Sequence, residues 1–360
     1  ETALLARELE KRVSVTWLTF SRPYPQWLDP RRFDRIPGTP PTAGAFPALD
    51  WRSPDSWKRT AREIAAEHPD ALLVPWWTSF WGLPLRGVLR KVHELSPATT
   101  RVLLCHNVRD HRSGLLQRFL ALGPFLSSDA FIVHAESERT RLARRLPGRE
   151  IAVLPHPVVD IPRPDRERAR HELGIHTPLV LFLGLIRRYK GVDLLLDAAP
   201  RIVADTGAKI AVVGEVFPEA KFLERRWESS PVRDSILWRD DYVSEEEMAR
   251  WLAAADAVVL PYRDVSGSWI AARAIAARRP LAAAAVGGLP ETVRPDSTGE
   301  LFAPDDPDAL AQAVARVLAR GLGFYEPGLA AAASERSWPR YTDGILTFLT
   351  GIRARTRELR

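Results

Sequence analysis

A chain of 360 residues with 46% hydrophobic residues is long enough for two domains, each with a core of its own. Its single cysteine, Cys105, excludes an intramolecular disulfide and a cysteine-based metal cluster, and such low cysteine use favours a cytoplasmic protein. The net charge of +6 comes almost entirely from arginine, which indicates genome composition rather than nucleic-acid binding, and no apolar run approaches the ~20 residues that span a bilayer.

The beginning of the chain shows a helix followed by a strand. Leu4 and Leu9 belong to an amphipathic helical pattern, and residues 13–20 alternate as a strand does. Because a fold of alternating strands and helices normally begins with a strand, we expect a first strand to lie ahead of Glu1. Residues 21–54 are rich in proline and arginine and predict a long loop region folded over a surface.

From residue 55 onwards, helical and extended patterns alternate. The first half predicts helices at 55–67, 83–95, 115–126 and 137–145, and strands at 71–75, 101–105, 130–133 and 151–154. The second half predicts strands at 179–183, 209–213, 235–238, 257–260 and 281–285, and helices at 192–203, 219–226, 244–254, 267–277, 306–319 and 341–353. This rhythm predicts an α/β fold of two Rossmann-like, doubly wound domains whose carboxyl-end crevices face each other.

The proline-rich residues 155–164 separate the two halves, and we interpret them as the interdomain linker. The predicted organisation is an N-terminal domain over residues 1–158 and a C-terminal domain over residues 165–335. We expect the last segment, 336–360, to be a helix that packs back towards the N-terminal domain.

The most informative stretch is LVLFLGLIRRYKGVDLLL, residues 179–196. A buried strand ends at Gly184, a basic turn carries Arg187 and Lys190, and Gly191 opens a helix. The free N–H groups and the dipole of a helix N-terminus attract anions. An arginine guanidinium can bind two phosphate oxygens at once, and a lysine ammonium adds a compact positive charge. The stretch therefore predicts a phosphate site, with an ordinary solvated charge run as the alternative.

Two further loops follow predicted strands of the second half. Ser266, Gly267 and Ser268 open a helix, so their N–H groups can receive a phosphate or a sugar hydroxyl; the alternative is that Ser266 only caps the helix. Gly288 and Glu291 lie in a loop in which glycine permits close backbone approach to a ligand, with a plain turn as the alternative.

The order and spacing of eight short motifs resemble one family. They are FSRPYP (20–25), VPWW (74–77), LLCHN (103–107), FIVHAES (131–137), LPHPV (154–158), FLGLIRRYKGVDLLLDA (182–198), ADAVVLPYR (255–263) and VGGLPETV (286–293). Through them nearly the whole chain resembles bacterial retaining glycosyltransferases of the GT-B architecture, the group called family four or glycosyl transferases group 1.

The resemblance implies a hexosyltransferase-like enzyme that moves a sugar from a nucleoside diphosphate to an acceptor, with retention at the anomeric carbon and without a metal or other cofactor. Arg187 and Lys190 would bind the donor diphosphate, as catalytic residues. His106 would lie near the transferred sugar, where an imidazole suits hydrogen bonding or proton movement. The segment with Tyr242 and Val243 would seat the base. The alternative for His106 is a structural histidine in a half-buried turn, with its hydrogen bonds made within the protein.

The chain departs from the family at two positions. Many relatives carry two glutamates eight residues apart, one for the sugar and one for the ribose, and the aligned positions here hold Val265 and Arg273. A non-catalytic nucleotide-sugar-binding or scaffold relative is therefore the main alternative. A sugar-nucleotide epimerase ranks last, because that chemistry needs acidic and basic groups around the sugar.

The acceptor is not identified by the sequence: a glycan, a lipid-linked carrier and a small molecule all stay open, whereas no nucleic acid is expected. Trp76 and Trp77 follow a predicted strand and offer faces for the C–H groups of a sugar, although core packing is the alternative that we favour. Arg31, Arg32 and Arg35 suggest peripheral contact with the inner face of a membrane, with a solvated loop as the alternative.

Overall fold

A computed structural model describes residues 2–22, 45–108, 115–158 and 163–358. By contacts the chain divides into two compact units. The first unit contains Glu1–His134, Arg139–Leu154 and Tyr341–Arg360, and the second contains Ala135–Glu138 and Pro155–Arg340. Within the first unit, the end of the chain contacts the sheet region through Arg353, which pairs with Asp70 at 2.7 Å.

The first unit contains two parallel sheets. Its helices are α1 (Thr2–Glu10), α2 (Pro54–Ala66), α3 (Gly82–Leu95), α4 (Leu115–Leu126) and most of α5 (Glu136–Arg145). Its strands are β1 (Trp17–Arg22), β2 (Ala45–Asp50), β3 (Ala71–Trp76), β4 (Thr100–Cys105), β5 (Ala130–Val133) and β6 (Glu150–Val153). Strands β1 and β2 form a two-stranded sheet, and a four-stranded sheet has the order β3-β4-β5-β6.

The second unit is built on one six-stranded parallel sheet. Its strands are β7 (Leu179–Leu183), β8 (Lys209–Val213), β9 (Ile236–Arg239), β10 (Ala257–Leu260), β11 (Leu281–Ala284) and β12 (Gly299–Phe302). Its helices are α6 (Arg166–Glu172), α7 (Val192–Thr206), α8 (Phe222–Glu228), α9 (Glu245–Ala254), α10 (Trp269–Ala276), α11 (Leu289–Thr292) and α12 (Pro307–Glu335), and α13 (Trp338–Glu358) ends the chain.

The strand order of the second sheet is that of a Rossmann fold. The order β12-β11-β10-β7-β8-β9 runs outward from the central pair β7 and β10, with Val180 paired to Ala257. Every residue of β7 and β10 is buried, as expected for a parallel sheet that helices cover on both faces. The connections leave β7 and β10 in opposite directions, so a crevice opens at the carboxyl ends of these two strands.

The predicted α/β architecture of Rossmann-like, doubly wound sheets is confirmed, and most element bounds agree within two residues. One prediction was wrong: residues 45–50 of the expected loop region form β2. Its sequence AFPALD has no alternation, and Pro47, which cannot donate a ladder hydrogen bond, lies beside a register shift in the pairing with β1. The remainder of that region, residues 23–44, lies outside the described residues.

Several elements were missed or shortened, among them α6, β12 and α12. The helix α6, RERARHE, has almost no apolar residue to reveal a period, and β12, GELF, is only four residues long. Helix α12 continues to Glu335 because it resumes after a break at Gly321, whose φ of 73° is left-handed. Because glycine is typical of a helix end, the sequence did not predict that α12 continues beyond Gly321.

Within the described ranges, no helix is both long enough and apolar enough to cross a membrane. The three arginines on which we based peripheral membrane contact, Arg31, Arg32 and Arg35, lie outside these ranges. That contact therefore stays a prediction.

Candidate functional site

Two loops of the second unit meet where the strand order reverses. The loop after β7 leads to α7, and the loop after β10 leads to α10. The backbone N–H of Arg263 donates to the carbonyl of Tyr189 at 2.8 Å and holds the loops together. Gly191 has a φ of 66°, and a Cβ there would lie 1.8 Å from the carbonyl oxygen of Pro261. Only glycine permits this approach.

Lys190 is a half-buried cation at this junction. Its Nζ donates to the hydroxyl of Tyr262 at 2.9 Å and lies 4.2 Å from the centroid of that ring. Among the residues that the structure describes, no carboxylate lies within 4.0 Å of Lys190. Burial lowers the pKa of Lys190, and the charge of Arg187 lowers it further. An ammonium without a counter-ion favours an anionic ligand, because such a ligand offsets the cost of its burial.

Arg187 supplies the second cation of the same loop. Its guanidinium carbon lies 4.0 Å above the centroid of the Phe217 ring, which fixes the plane of the group. Its nearest carboxylate contact is weak, since Glu219 lies 3.9 Å from Nε, and the side chain is 36% exposed. Arg187 therefore stays largely uncompensated and accessible.

Ser268 connects the second loop to the first. Its side chain caps α10 by accepting a hydrogen bond from the N–H of Ala271 at 3.1 Å. It also bonds to Tyr262, whose pKa is raised by burial and lowered by this bond. Lys190, Tyr262 and Ser268 thus form one chain of side-chain contacts. The cap is Ser268 and not Ser266, so our alternative for Ser266 was wrong.

Glycines bring further backbones close to the same loops. A Cβ at Gly288 would lie 2.3 Å from the carbonyl oxygen of Ser266, and Gly267 lies between the two serines. On the other side, Gly184 has a φ of 110°, and a Cβ at Gly214 would lie 2.1 Å from its carbonyl oxygen. At Gly214 and Gly288 the backbones therefore approach so closely that a side chain has no room.

Arg263 shows the opposite electrostatics to Lys190, although it lies nearby. It binds Asp193 with two parallel hydrogen bonds of 2.7 and 2.9 Å, and its Nε donates to Asp305 at 2.6 Å. The bonds to Asp193 raise the pKa of Arg263. Arg263 is thus neutralised, and it positions the basic loop rather than binding an anion.

The positions that depart from the family pattern are both buried. Arg273 is 4% exposed on α10, and its two terminal nitrogens contact Glu245 of α9 at 2.9 and 2.6 Å. Its guanidinium lies 5.1 Å from the Trp269 ring centroid. Val265 packs in the core of the unit. A carboxylate therefore does lie beside α10, but it comes from α9.

The segment predicted to seat a base follows β9. Tyr242 is 42% exposed; burial raises its pKa, Glu245 adds to this, and Arg273 opposes it. Val243 is buried in the core. Tyr242 therefore offers an accessible ring close to the Arg273–Glu245 pair, and its contact with a ligand stays a prediction.

Glu291 has a structural role in the second unit. Its carboxylate oxygens accept hydrogen bonds from the backbone N–H groups of Glu136 at 2.7 Å and Ser137 at 3.2 Å. These are N–H groups of the first turn of α5, which have no partner within a helix. Glu291 thus caps this turn, and its predicted contact with a ligand stays a prediction.

The candidates of the first unit lie at the ends of β3 and β4. The N–H of His106 donates to the carbonyl of Trp76 at 2.8 Å, and the His106 ring centroid lies 5.2 Å from that of His134. Trp76 is 3% exposed and packs edge-on against Phe125, which agrees with the core-packing alternative. Trp77 is half-buried and keeps part of its face accessible.

Tyr262, Arg263 and Glu245 were not assigned a role from the sequence. The bond of Tyr262 to Lys190 spans 72 residues, and that of Glu245 to Arg273 spans 28. Their only sequence signal is position, because each follows a predicted strand on the carboxyl side, where parallel strands collect ligand-binding groups.

Comparisons with known proteins point to one family. Residues 177–320 match the model of the family described as Glycosyl transferases group 1. A D-inositol 3-phosphate glycosyltransferase of Geodermatophilus obscurus is 29% identical over 285 residues, which cover 75% of this chain and 62% of that protein. The chain thus spans about half to two thirds of the length of the first curated relatives that it matches.

Solved structures share the fold. HepE of Anabaena, crystallised with UDP, has a TM-score of 0.71 at 14% identity and 85% coverage of both chains. Sucrose-phosphate synthase of Thermosynechococcus elongatus has a TM-score of 0.72 at 19% identity, covering 99% of this chain and 92% of that one. Residues 177–320 thus resemble the family of glycosyl transferases group 1, and the fold is that of the GT-B glycosyltransferases.

Proposed function

We propose that the protein is a glycosyltransferase that moves a sugar from a nucleoside-diphosphate-sugar to an acceptor, with retention at the anomeric carbon. The observation that carries the proposal is the state of Lys190. It is a half-buried cation, held by Tyr262 beside Arg187, and no carboxylate of the described chain pairs with it. A diphosphate supplies the missing negative charge.

The names of the similar proteins support the choice of donor. HepE was crystallised with UDP and also with UDP-glucose, and the matching curated proteins are named D-inositol 3-phosphate glycosyltransferases. UDP-glucose is therefore the first donor to test, and D-inositol 3-phosphate the first acceptor. A glycan, a lipid-linked carrier and another small molecule are the further acceptor classes.

The proposed chemistry rests on the leaving group. Arg187, Lys190 and the N-terminus of α10 at Ser268 would stabilise the negative charge that develops on the diphosphate as its bond to the sugar breaks. The ammonium has three N–H donors, and Tyr262 uses one of them, so two remain for phosphate oxygens. In this account the cations do the neutralising, so the reaction needs no metal.

Retention follows if attack and departure occur on the same face of the sugar. The departing phosphate would then take the proton of the incoming hydroxyl on that face, as is proposed for the family. His106 would hydrogen-bond a hydroxyl of the transferred sugar.

A second function is kept because of one observation. Positions 265 and 273 hold no carboxylate, and Arg273 is committed to Glu245. A subunit that binds a nucleotide-sugar without transferring it would fit the same geometry. In the enzyme, Glu245 would be the carboxylate next to the nucleoside, held in place by Arg273.

A calorimetric titration followed by an activity assay tests the proposal. The protein is titrated with UDP, UDP-glucose, GDP-mannose and ADP-glucose, and each donor that binds is assayed for hydrolysis and for transfer to D-inositol 3-phosphate and the other acceptor classes. Binding with turnover and a retained anomeric configuration, read by NMR, is the expected result. Binding without any turnover would favour the non-catalytic function, and no binding within the panel would contradict both.

We also propose a cytoplasmic location, with peripheral contact at the inner face of the membrane. The low cysteine use and the arginines near residue 31 support it. Cell fractionation with and without a high-salt wash tests it, and recovery in an extracellular fraction would contradict it.

A further inference from the structure

A basic cavity lies at the amino-end side of the six-stranded sheet, opposite to the candidate donor site. It has a volume of about 360 Å³ and is lined by Arg163, Arg278, Arg279, Leu322, Gly323 and Glu326, among others. Arg278 and Arg279 come directly before β11, at its amino end. Lys190 and Ser268 follow the carboxyl ends of β7 and β10. The cavity is therefore separate from the candidate donor site.

One of the three arginines in the cavity is already neutralised. The Nε of Arg278 lies 3.3 Å from a carboxylate oxygen of Glu326, and its Nη1 donates to the carbonyls of Ile275 at 3.1 Å and Leu329 at 3.3 Å. This arginine joins α10 to α12. Its charge and that of Glu326 cancel, so it contributes shape rather than net charge.

Arg279 is a different case, because no described carboxylate lies within ion-pair distance of it. Its Nε donates to the carbonyl of Leu252 at 2.9 Å, which anchors the group by one edge. Throughout the described ranges, no carboxylate lies within 4.0 Å of Arg279, and no protein group bonds to its two terminal nitrogens. Burial lowers the pKa of Arg279 to about 10, and the charge of Arg166 adds to this effect.

Asp256 and Glu326 both act on the charge of Arg279, but each carboxylate is already paired with another arginine. Asp256 accepts hydrogen bonds from Arg166 and Arg170 and from the N–H of Leu179 at 2.8 Å. The other cation of the cavity, Arg163, is exposed, and no ion pair to it is found in the part of the chain that the structure describes. Among the described residues, Arg163 and Arg279 thus have no carboxylate paired with them.

We propose that this cavity binds a small phosphorylated compound, with its phosphate between Arg163 and Arg279. Two guanidinium forks match the charge and the geometry of a phosphate dianion. The volume lies within the ~300–1,000 Å³ range of small-molecule sites, so the cavity has room for a sugar phosphate as well as for the phosphate group alone. This inference does not depend on the proposed function.

Gly323 offers a variant that tests the charge without touching a packed side chain. It is exposed on α12, and a Cβ there meets nothing within 4 Å. Gly323→Glu would place a carboxylate at the cavity, where it competes with the phosphate for the arginines. Gly323→Gln has nearly the same shape without the charge and serves as the matched control.

The experiment is a calorimetric titration of the full chain with inorganic phosphate and, separately, with glucose 6-phosphate. We expect Gly323→Glu and Arg163→Gln each to weaken binding of glucose 6-phosphate by about tenfold or more, the usual effect of losing a charge-assisted contact. Gly323→Gln should change it by less than about threefold. Lys190→Ala, which alters only the donor site, should leave it unchanged.

Two results would overturn the inference. One is glucose 6-phosphate binding that Gly323→Glu and Arg163→Gln leave intact, or no binding of either probe to the wild-type chain. The other is binding that Lys190→Ala abolishes, because the phosphate would then lie at the donor site. Binding of inorganic phosphate as tight as that of glucose 6-phosphate would support the site and restrict its ligand to the phosphate group.

Discussion

The carboxyl ends of the two larger sheets carry different chemistry. In the second unit, glycines bring backbones together beside Lys190 and Arg187; among the described residues no carboxylate pairs with Lys190, and Arg187 has only Glu219 at 3.9 Å. In the first unit, the corresponding ends carry Trp76, which is buried, and His106, which is bonded through its backbone. The same architecture thus carries basic loops at the carboxyl ends of one sheet and largely packed aromatic residues at those of the other, so the difference lies in the loops.

The largest expected effect tests whether the aromatic edge is core. Trp76→Ala should lower the free energy of unfolding by ~3–5 kcal/mol, because it removes a fully buried ring. Trp77→Ala, at a half-buried neighbour, should cost less than half of that. Urea denaturation measures both. Equal losses would mean that the two rings do not differ as the structure shows.

The close backbone approach at the binding edge can be tested in the same way. Gly191→Ala should lower the free energy of unfolding by about 2–4 kcal/mol, because it combines a left-handed φ with a Cβ 1.8 Å from Pro261. Gly207→Ala is the matched control at the other end of α7. Its φ of 62° is similar but nothing lies within 4 Å, so about 1 kcal/mol is expected. A similar loss of unfolding free energy in both variants would mean that the approach of Gly191 to Pro261 does not affect stability.

Loss of the uncompensated cation should act on binding rather than on stability. Lys190→Ala should weaken UDP binding by ~1.5–3 kcal/mol, the scale of a charge-assisted hydrogen bond, as read by calorimetry. Lys221→Ala removes an exposed lysine of the same unit and should leave affinity unchanged. If UDP binds equally to the wild type, Lys190→Ala and Lys221→Ala, Lys190 does not contact the diphosphate.

A buried histidine of the second unit gives a pH dependence of stability. Burial lowers the pKa of His156 to about 3, and the charge of Arg336 adds to this. Since the unfolded chain binds this proton near pH 6.5, stability falls as the pH drops below that value, by about 2 kcal/mol between pH 7.5 and 5. His156→Gln should remove this part of the dependence. A denaturation profile that keeps its slope in the variant would assign the acid sensitivity to other groups.

The smallest expected effect concerns His106. His106→Ala should lower the transfer rate about tenfold, the scale of one hydrogen bond, with UDP affinity unchanged. His93→Ala, an exposed histidine of the same unit, is the control. A loss of UDP affinity equal to the loss of rate would place His106 at the diphosphate instead, and an unchanged rate would remove it from the mechanism.

Much of the fold could be predicted because its signals are local. The strand Leu179–Leu183 is an unbroken apolar run that ends in glycine, and its predicted bounds are those observed. The strand β2 could not be predicted, since its six residues have no alternation and pair only through β1. Tertiary pairing, and not local propensity, makes it a strand.

The candidate site was predicted less completely, for a related reason. Charge and glycine placement in one loop indicated Arg187 and Lys190, but the partner that fixes Lys190 is 72 residues away. Likewise, Arg273 forms its ion pair with Glu245, which lies on another helix. Such pairs depend on which strands lie side by side, and one sequence alone does not determine that.

The most direct test is a crystal structure of the protein with UDP. We predict diphosphate oxygens at about 3 Å from Lys190 Nζ and from the Arg187 guanidinium, with the Lys190–Tyr262 bond retained. A diphosphate bound elsewhere, with Lys190 contacting only Tyr262, would contradict this prediction.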